Sequence, residues 1–261
     1  MAQVHRTEAA LTGNRFALAA AIAALLTAAA GTRPAQGAAE VHRFNLIVSA
    51  IPTQINGGDV NDEIDFTNHF LESQGLKGLD RIVYAWMFEA QLRYMIHSKL
   101  AISAGVGQVK KASQREYLPG LQQDVQLRWE VFSVPVSVGA DYYLAPYNQG
   151  DFQARAYLGG GFLSLVQNRL LYQQTVIGIP GTTSFTTAAK RDAPGFYVEG
   201  GVHMFFATRF SVLLGAVFRS AKVAALVDRT TNDPRLSATD LKPLSMDLSG
   251  VGGRMAVAYG F

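Results

Sequence analysis

From about residue 41 onward the chain alternates apolar and polar side chains with a period of two, the pattern of strands whose two faces meet different surroundings. Residues 81–96, RIVYAWMFEAQLRYMI, put Ile82, Tyr84, Trp86, Phe88, Leu92, Tyr94 and Ile96 on one face and Glu89, Gln91 and Arg93 on the other. Phe196, Val198, Val202, Met204 and Phe206 oppose Tyr197, Glu199 and His203 in the same way, and Phe210, Val212, Leu214 and Phe218 oppose Ser211, Gly215 and Arg219. Eight such runs occur, at about 41–51, 81–96, 99–111, 123–144, 152–174, 194–206, 209–224 and 247–261. The connections near 97, 148 and 208 are short, whereas 52–80, 112–122, 175–193 and 225–246 are longer. An even number of strands, with short turns at one end and long loops at the other, predicts an all-β fold: an eight-stranded antiparallel up-and-down transmembrane β-barrel.

A soluble barrel also alternates, with its apolar face inward. The polar face decides the orientation, because it is rich in glycine as well as charge: Gly105, Gly107, Gly159, Gly161, Gly215, Gly250 and Gly252. Small residues suit the crowded bore of a narrow barrel, so the aromatic face is assigned to lipid. The bore then receives Arg43, Glu89, Arg93, Asp141, Arg155, Glu199, Arg219 and Arg254, together with Gln91, Gln153 and His203. Buried charges of both signs must pair or be solvated. Eight strands leave room for little beyond their own side chains, which favours a polar network filling the bore over a lined path.

One run departs from the pattern. In 123–144, Val125, Leu127, Trp129 and Val131 are odd, but from Phe132 to Leu144 the apolar positions are even. A change of face predicts a β-bulge near Val131–Ser133, beside Pro135, and a kinked strand.

Composition agrees with a membrane setting, since charged residues are 16% and apolar residues 49% of the chain, against roughly 25% charged in soluble domains. Residues 1–15 carry Arg6 and Arg15, residues 16–30 read FALAAAIAALLTAAA, and small residues follow in GTRPAQGAAE. That three-part order predicts a secretory signal over 1–37, cleaved after Gly37 or Ala39, and a single barrel domain over 38–261. The apolar run falls short of the roughly 20 residues that a spanning helix needs. Without 1–37 the formal charge of +3 becomes 20 basic against 19 acidic residues, which gives no electrostatic case for nucleic acid. With no cysteine there is no disulfide framework, thiolate metal site or lipobox anchor.

The end of the chain, RMAVAYGF, places Met255, Val257, Tyr259 and Phe261 on one face. Here, and in VPVSVGADYYL (134–144) followed by FQARAYLGGGF (152–162), the sequence resembles the small outer-membrane β-barrels of the OmpA-like, OmpX-like and OmpW-like group. The resemblance covers about 41–261 and implies an outer-membrane location, contact with outer-membrane lipid and lipopolysaccharide, and reading of Val257, Tyr259 and Phe261 by the barrel assembly machinery. The expected role is non-enzymatic, in envelope integrity or surface interaction. The alternatives are a narrow conduit for small solutes with lateral exit through the kinked strand, and an enzyme acting on membrane lipid.

For an enzyme the histidines are badly placed: His97 lies in a short turn, His203 near the end of its strand, His42 at the first strand, and only His69 in an outer loop. No GxSxG, HExxH or Walker-type loop occurs, and no cofactor or metal is expected. The first long loop contains NDEIDFTNHFLESQGL (61–76), which predicts a short helix capped by Asn61 or Asp62 and ended by Gly75. Its expected apolar stripe is Ile64, Phe70 and Leu71, with Phe66 beside them. The acidic group Asp59, Asp62, Glu63 and Asp65 lacks the ligand spacing of a calcium loop.

Overall fold

The computed structural model describes residues 42–117, 124–149, 151–177, 183–190, 192–206, 209–229 and 231–261; the expected signal segment over 1–37 lies outside the described residues. Eight long strands make the wall: β1 Phe44–Gln54, β2 Tyr84–His97, β3 Leu100–Tyr117, β4 Asp124–Tyr143, β5 Phe152–Ile177, β6 Ala193–Phe205, β7 Phe210–Val223 and β8 Gly250–Gly260. Each is antiparallel to the next, and β8 returns to β1 with Val257 opposite Val48, so the sheet closes on itself. Closure satisfies the backbone between strands, as a wall facing hydrocarbon requires.

Outward positions are apolar along this wall, including Leu46, Phe88, Ile102, Val138, Phe162, Phe196, Leu214 and Met255. The alternate positions turn into the bore and are buried. The fold is therefore the transmembrane barrel that the alternation predicts, with short connections at one end and long ones at the other.

The strands differ in length, and the difference shapes the outer end. β1 and β8 have 11 residues each, about what a tilted strand needs to cross a bilayer. β3, β4 and β5 have 18, 20 and 26. They rise past the apolar belt and are joined by an outer segment, Thr183–Lys190, which pairs with the upper half of β5. Their upper inward side chains, among them Leu127, Trp129, Val131 and Leu170, form one buried apolar cluster with residues of the loops.

The expected kink in β4 is corrected here. Odd residues of β4 face inward throughout, from Leu127 through Ser133 to Asp141, so its face never changes. The extra residue is on β5 instead: Val134 lies opposite Gln167 but Pro135 opposite Leu165, leaving Val166 unpaired. Inward positions on β5 accordingly switch from Leu163 and Leu165 to Asn168 and Leu170.

A helix, α1 (Asp59–Ser73), lies across the outer mouth. It starts at Gly58, φ 61°, without a side-chain cap, rather than at Asn61 or Asp62. Its end follows expectation: Gly75 takes φ 72°, and the Leu76 N–H returns to the Leu71 carbonyl at 2.9 Å, an arrangement that glycine makes cheap. Val60, Ile64 and Leu71 point into the apolar cluster. Phe66 and Phe70 point away and are exposed, which corrects the expected stripe: the 3.6-residue turn puts 60, 64 and 71 on one side and carries 66 and 70 off it.

Two asparagines two turns apart fasten the helix to the chain that returns to β2. Asn61 Nδ2 donates to the Asn56 and Ile82 carbonyls at 3.1 Å, and its Oδ1 accepts from the Ile82 N–H at 2.8 Å. Asn68 makes the same two-way contact with Leu79, at 2.9 and 2.6 Å. On the other side, Asp59 and Glu63 accept from the Ser245 and Ala238 N–H groups, holding segment 231–249 over the mouth. Two of the four clustered carboxylates are thus committed to backbone donors. Removing the Asn61 amide leaves buried backbone groups unpaired, so Asn61→Ala is expected to weaken the cap by about 1–3 kcal/mol. The measurement is faster hydrogen exchange across 59–82 with the barrel strands unchanged.

Candidate functional site

The bore changes character along its length. Toward the short turns an ionic and polar network is interleaved with a small apolar cluster that includes Ile47, Met95, Leu213 and Ala258, and toward the long loops the bore is apolar and capped. Arg93, projected from β2, is fully buried at the centre of the ionic network. Its Nε lies 3.1 Å from Asp141 on β4, its Nη2 3.3 Å from Glu199 on β6 and also 3.3 Å from Gln91 Oε1, and its Nη1 donates to the Tyr143 hydroxyl at 2.6 Å. The Tyr157 ring faces the guanidinium at 5.3 Å. Arg254 on β8 bridges Glu199 and Glu89, and Glu89 accepts a further bond from Ser137 Oγ at 3.1 Å. Arg219 on β7 sits higher, donating to Thr53 Oγ1 at 2.8 Å and touching the Met87 sulfur.

Two guanidinium groups, Arg93 and Arg254, therefore pair with three carboxylates across four strands, and Arg219 from a fifth strand adds its charge above them without a carboxylate in ion-pair contact among the described residues. Such an arrangement ties distant strands together across the bore, and each member depends on the others for compensation of its lost hydration. Glycines make the space: a Cβ at Gly159 would overlap the Asp141 carboxylate, and one at Gly139 the Tyr197 hydroxyl.

Two expected members are placed differently. Arg43 is exposed, in a bend just before β1 begins at Phe44; parity alone does not show where the wall starts. Arg155 is half-buried at the turn end, with Nε 2.8 Å from Gln153 Oε1 and Nη1 2.6 Å from the Ser98 carbonyl. It holds the β2–β3 turn rather than joining the central cluster. Glu89, Arg93, Asp141, Glu199, Arg219 and Arg254 are brought together.

His203 is buried between Ser211 Oγ, 2.7 Å from Nε2, and the Tyr143 hydroxyl, 3.0 Å from Nδ1. The pair has the spacing of a nucleophile and its base, but both residues are buried and the orienting group is a phenol. The described residues hold no grouping of His, Asp and Glu suited to a metal.

The two best-formed cavities among the described residues are small. One of about 10 Å³ is bordered by Ile55, Pro135, Leu165 and Arg219. One of about 20 Å³ lies under the cap, bordered by Glu63, Trp129 and Arg235. Each is about the space of one water.

On the outside, Val257, Tyr259 and Phe261 line the lipid-facing edge at the turn end; Phe261 stacks with Phe44 at 6.2 Å, and Phe210 meets Tyr259 edge-on at 5.1 Å. Above the belt, Glu130 is buried among Lys110, Arg128 and Arg169 on the exterior of β3–β5. Alternation did not single out this group. Its signal was the appearance of Lys110 and Arg128 at outward, even positions just where the apolar series stops.

Closed wall, apolar exterior and paired ionic interior define a small transmembrane β-barrel of the outer-membrane type. Among solved structures the chain is similar to Neisserial surface protein A (13% identity, TM-score 0.38, covering 84% of this chain and 97% of that one). It is similar also to the N-terminal barrel domain of Pseudomonas aeruginosa OprF (9%, 0.35, 83% and 97%) and to the outer membrane protease OmpT of Escherichia coli (11%, 0.33, 84% and 96%). These likenesses reach no further than general architecture, which the strand pairing itself establishes. No family model and no curated protein matches the sequence.

Proposed function

We propose that the chain is a non-enzymatic outer-membrane protein, exported by its leader over 1–37, that serves envelope integrity or surface interaction and does not conduct solutes. The observation that carries this reading is the Arg93–Asp141–Glu199–Arg254–Glu89 cluster, which spans the bore with buried side chains. The cap of α1 and segment 231–249 above it adds a second obstruction. A conduit needs an opening, and its lateral exit relied on a kink in β4 that lies on β5 instead. In this reading Val257, Tyr259 and Phe261 are the residues that the assembly machinery engages.

Planar-bilayer recording of the purified protein tests the proposal. The expected result is no stable single-channel step. Stable steps in the wild type that change with Glu89→Ala would overturn it in favour of a lined path.

A further inference from the structure

We propose that Lys110, Arg128 and Arg169 form a site on the barrel exterior for the phosphate of a lipid headgroup in the outer leaflet. This rests on the reading of the chain as a membrane barrel with its long loops outward. The strand register places the group. Lys110, Phe132 and Arg169 are direct cross-strand neighbours on β3, β4 and β5, and Ala112, Glu130 and Leu171 form the next row but one above them, with Gln114, Arg128 and Gln173 beyond. All face outward: even positions do so on β3 and β4, and odd positions on β5 past the extra residue at Val166. Below them on β4 run Val134, Val136 and Val138, so the cations stand at the first level where the apolar belt ends.

Charge is out of balance here, unlike in the bore. Glu130 accepts from Arg169 Nη2 at 3.2 Å, from Arg128 Nη2, and lies 3.3 Å from Lys110 Nζ. One carboxylate thus holds three cations and leaves a surplus of two positive charges. The Nε atoms of both arginines are buried without a hydrogen-bond partner, while the side chains remain 31% (Arg128), 41% (Arg169) and 31% (Lys110) exposed. Arg169 is further fixed by packing over Phe132 at 5.3 Å. The donors are therefore arranged before any ligand arrives, which lowers the ordering cost of binding.

A phosphate monoester carries a charge of roughly −1.5 to −2, which matches the surplus, and guanidinium groups present donors suited to its oxygens. The apolar wall directly beneath selects the source. A phosphate whose acyl chains descend along Val134, Val136 and Val138 gains both charge pairing and apolar contact, whereas a free ion gains only the first. A purely structural ion pair would need one cation, not three.

Native mass spectrometry of the detergent-purified chain with added bisphosphorylated lipid A, its dephosphorylated form, or inorganic phosphate tests the site. The expected result is retention of one bisphosphorylated lipid A, with at least tenfold less retention of the dephosphorylated form. Arg128→Gln with Arg169→Gln is expected to lower retention at least tenfold. Lys242→Gln, in segment 231–249, serves as the charge control and leaves retention unchanged. Should the double variant fail to fold, Lys110→Met is expected to lower retention severalfold in a folded barrel. Equal retention of the dephosphorylated lipid, or retention indifferent to all these substitutions, overturns the site; displacement of lipid A by millimolar inorganic phosphate overturns the lipid source. A chain that stays soluble without detergent overturns the membrane reading instead, so the two failures are distinct.

Discussion

Arg93→Ala is expected to cost the barrel about 3–5 kcal/mol, the range for removing one partner of a buried ion pair. The loss exceeds that of a hydrogen bond because Asp141 stays behind fully buried, with no second cation paired to it among the described residues, while Glu199 keeps Arg254. The Tyr143 hydroxyl, which also contacts His203, loses its donor. The cost comes from the uncompensated charge, so removing both charges together is expected to recover part of it: Arg93→Leu with Asp141→Leu should be more stable than Arg93→Ala. Urea titration of the folded protein in lipid vesicles, followed by tryptophan fluorescence, measures both. A cost below about 1 kcal/mol for Arg93→Ala would mean that water reaches the cluster and hydrates Asp141, which would also undercut the non-conducting reading.

The contrast between what alternation disclosed and what it did not has one physical origin. A strand shows its two faces in sequence only through the difference between two surroundings, and in this wall the surroundings change along the strand. Below Pro135, β4 has lipid outside and an ionic bore inside, so Val136, Val138 and Tyr142 mark the outward face. Above it, water replaces lipid outside and the capped cluster replaces the ionic bore, so Leu127, Trp129 and Val131 mark the inward one. The apolar series jumps parity although the backbone does not, and this produced the expectation of a bulge in the wrong strand. On β5 the backbone does shift at Val166, but Leu163, Leu165 and Leu170 are inward on both sides of it. A shift that keeps leucines inside gives little sign of itself.

The bore residues were more legible because charge is rare in this chain and costly when buried. Glu89, Arg93, Glu199 and Arg219 each interrupt an otherwise apolar stretch, and parity alone puts them inside. Which pairs with which depends on strands far apart in sequence, as with Arg254 and Glu89, and only the register supplies it. The cap depended on a different periodicity. Ile64 and Leu71 were found from the helical pattern, but the buried roles of Asn61 and Asn68 rest on backbone groups of 79–82, which no local pattern announces.

Val138→Arg separates lipid from water as the outer surroundings of the belt. Val138 is 54% exposed, between Ala104 on β3 and Phe162 on β5, midway between Tyr142 at the turn end and Phe132 at the loop end of the outward series. On a soluble protein such a half-exposed position tolerates arginine within about 0.5 kcal/mol. In a bilayer the same change places a charge near the midplane and is expected to cost about 2–4 kcal/mol. Gln114→Arg is the matched control, since Gln114 faces outward on the same wall but stands above the belt beside Arg128, where the cost should fall to about 1 kcal/mol or less. Equilibrium refolding into lipid vesicles reads both values. A gradient with depth supports lipid around the belt, and equal small costs at the two positions would return the exterior to water and reverse the assignment of faces on which the lipid-phosphate site depends.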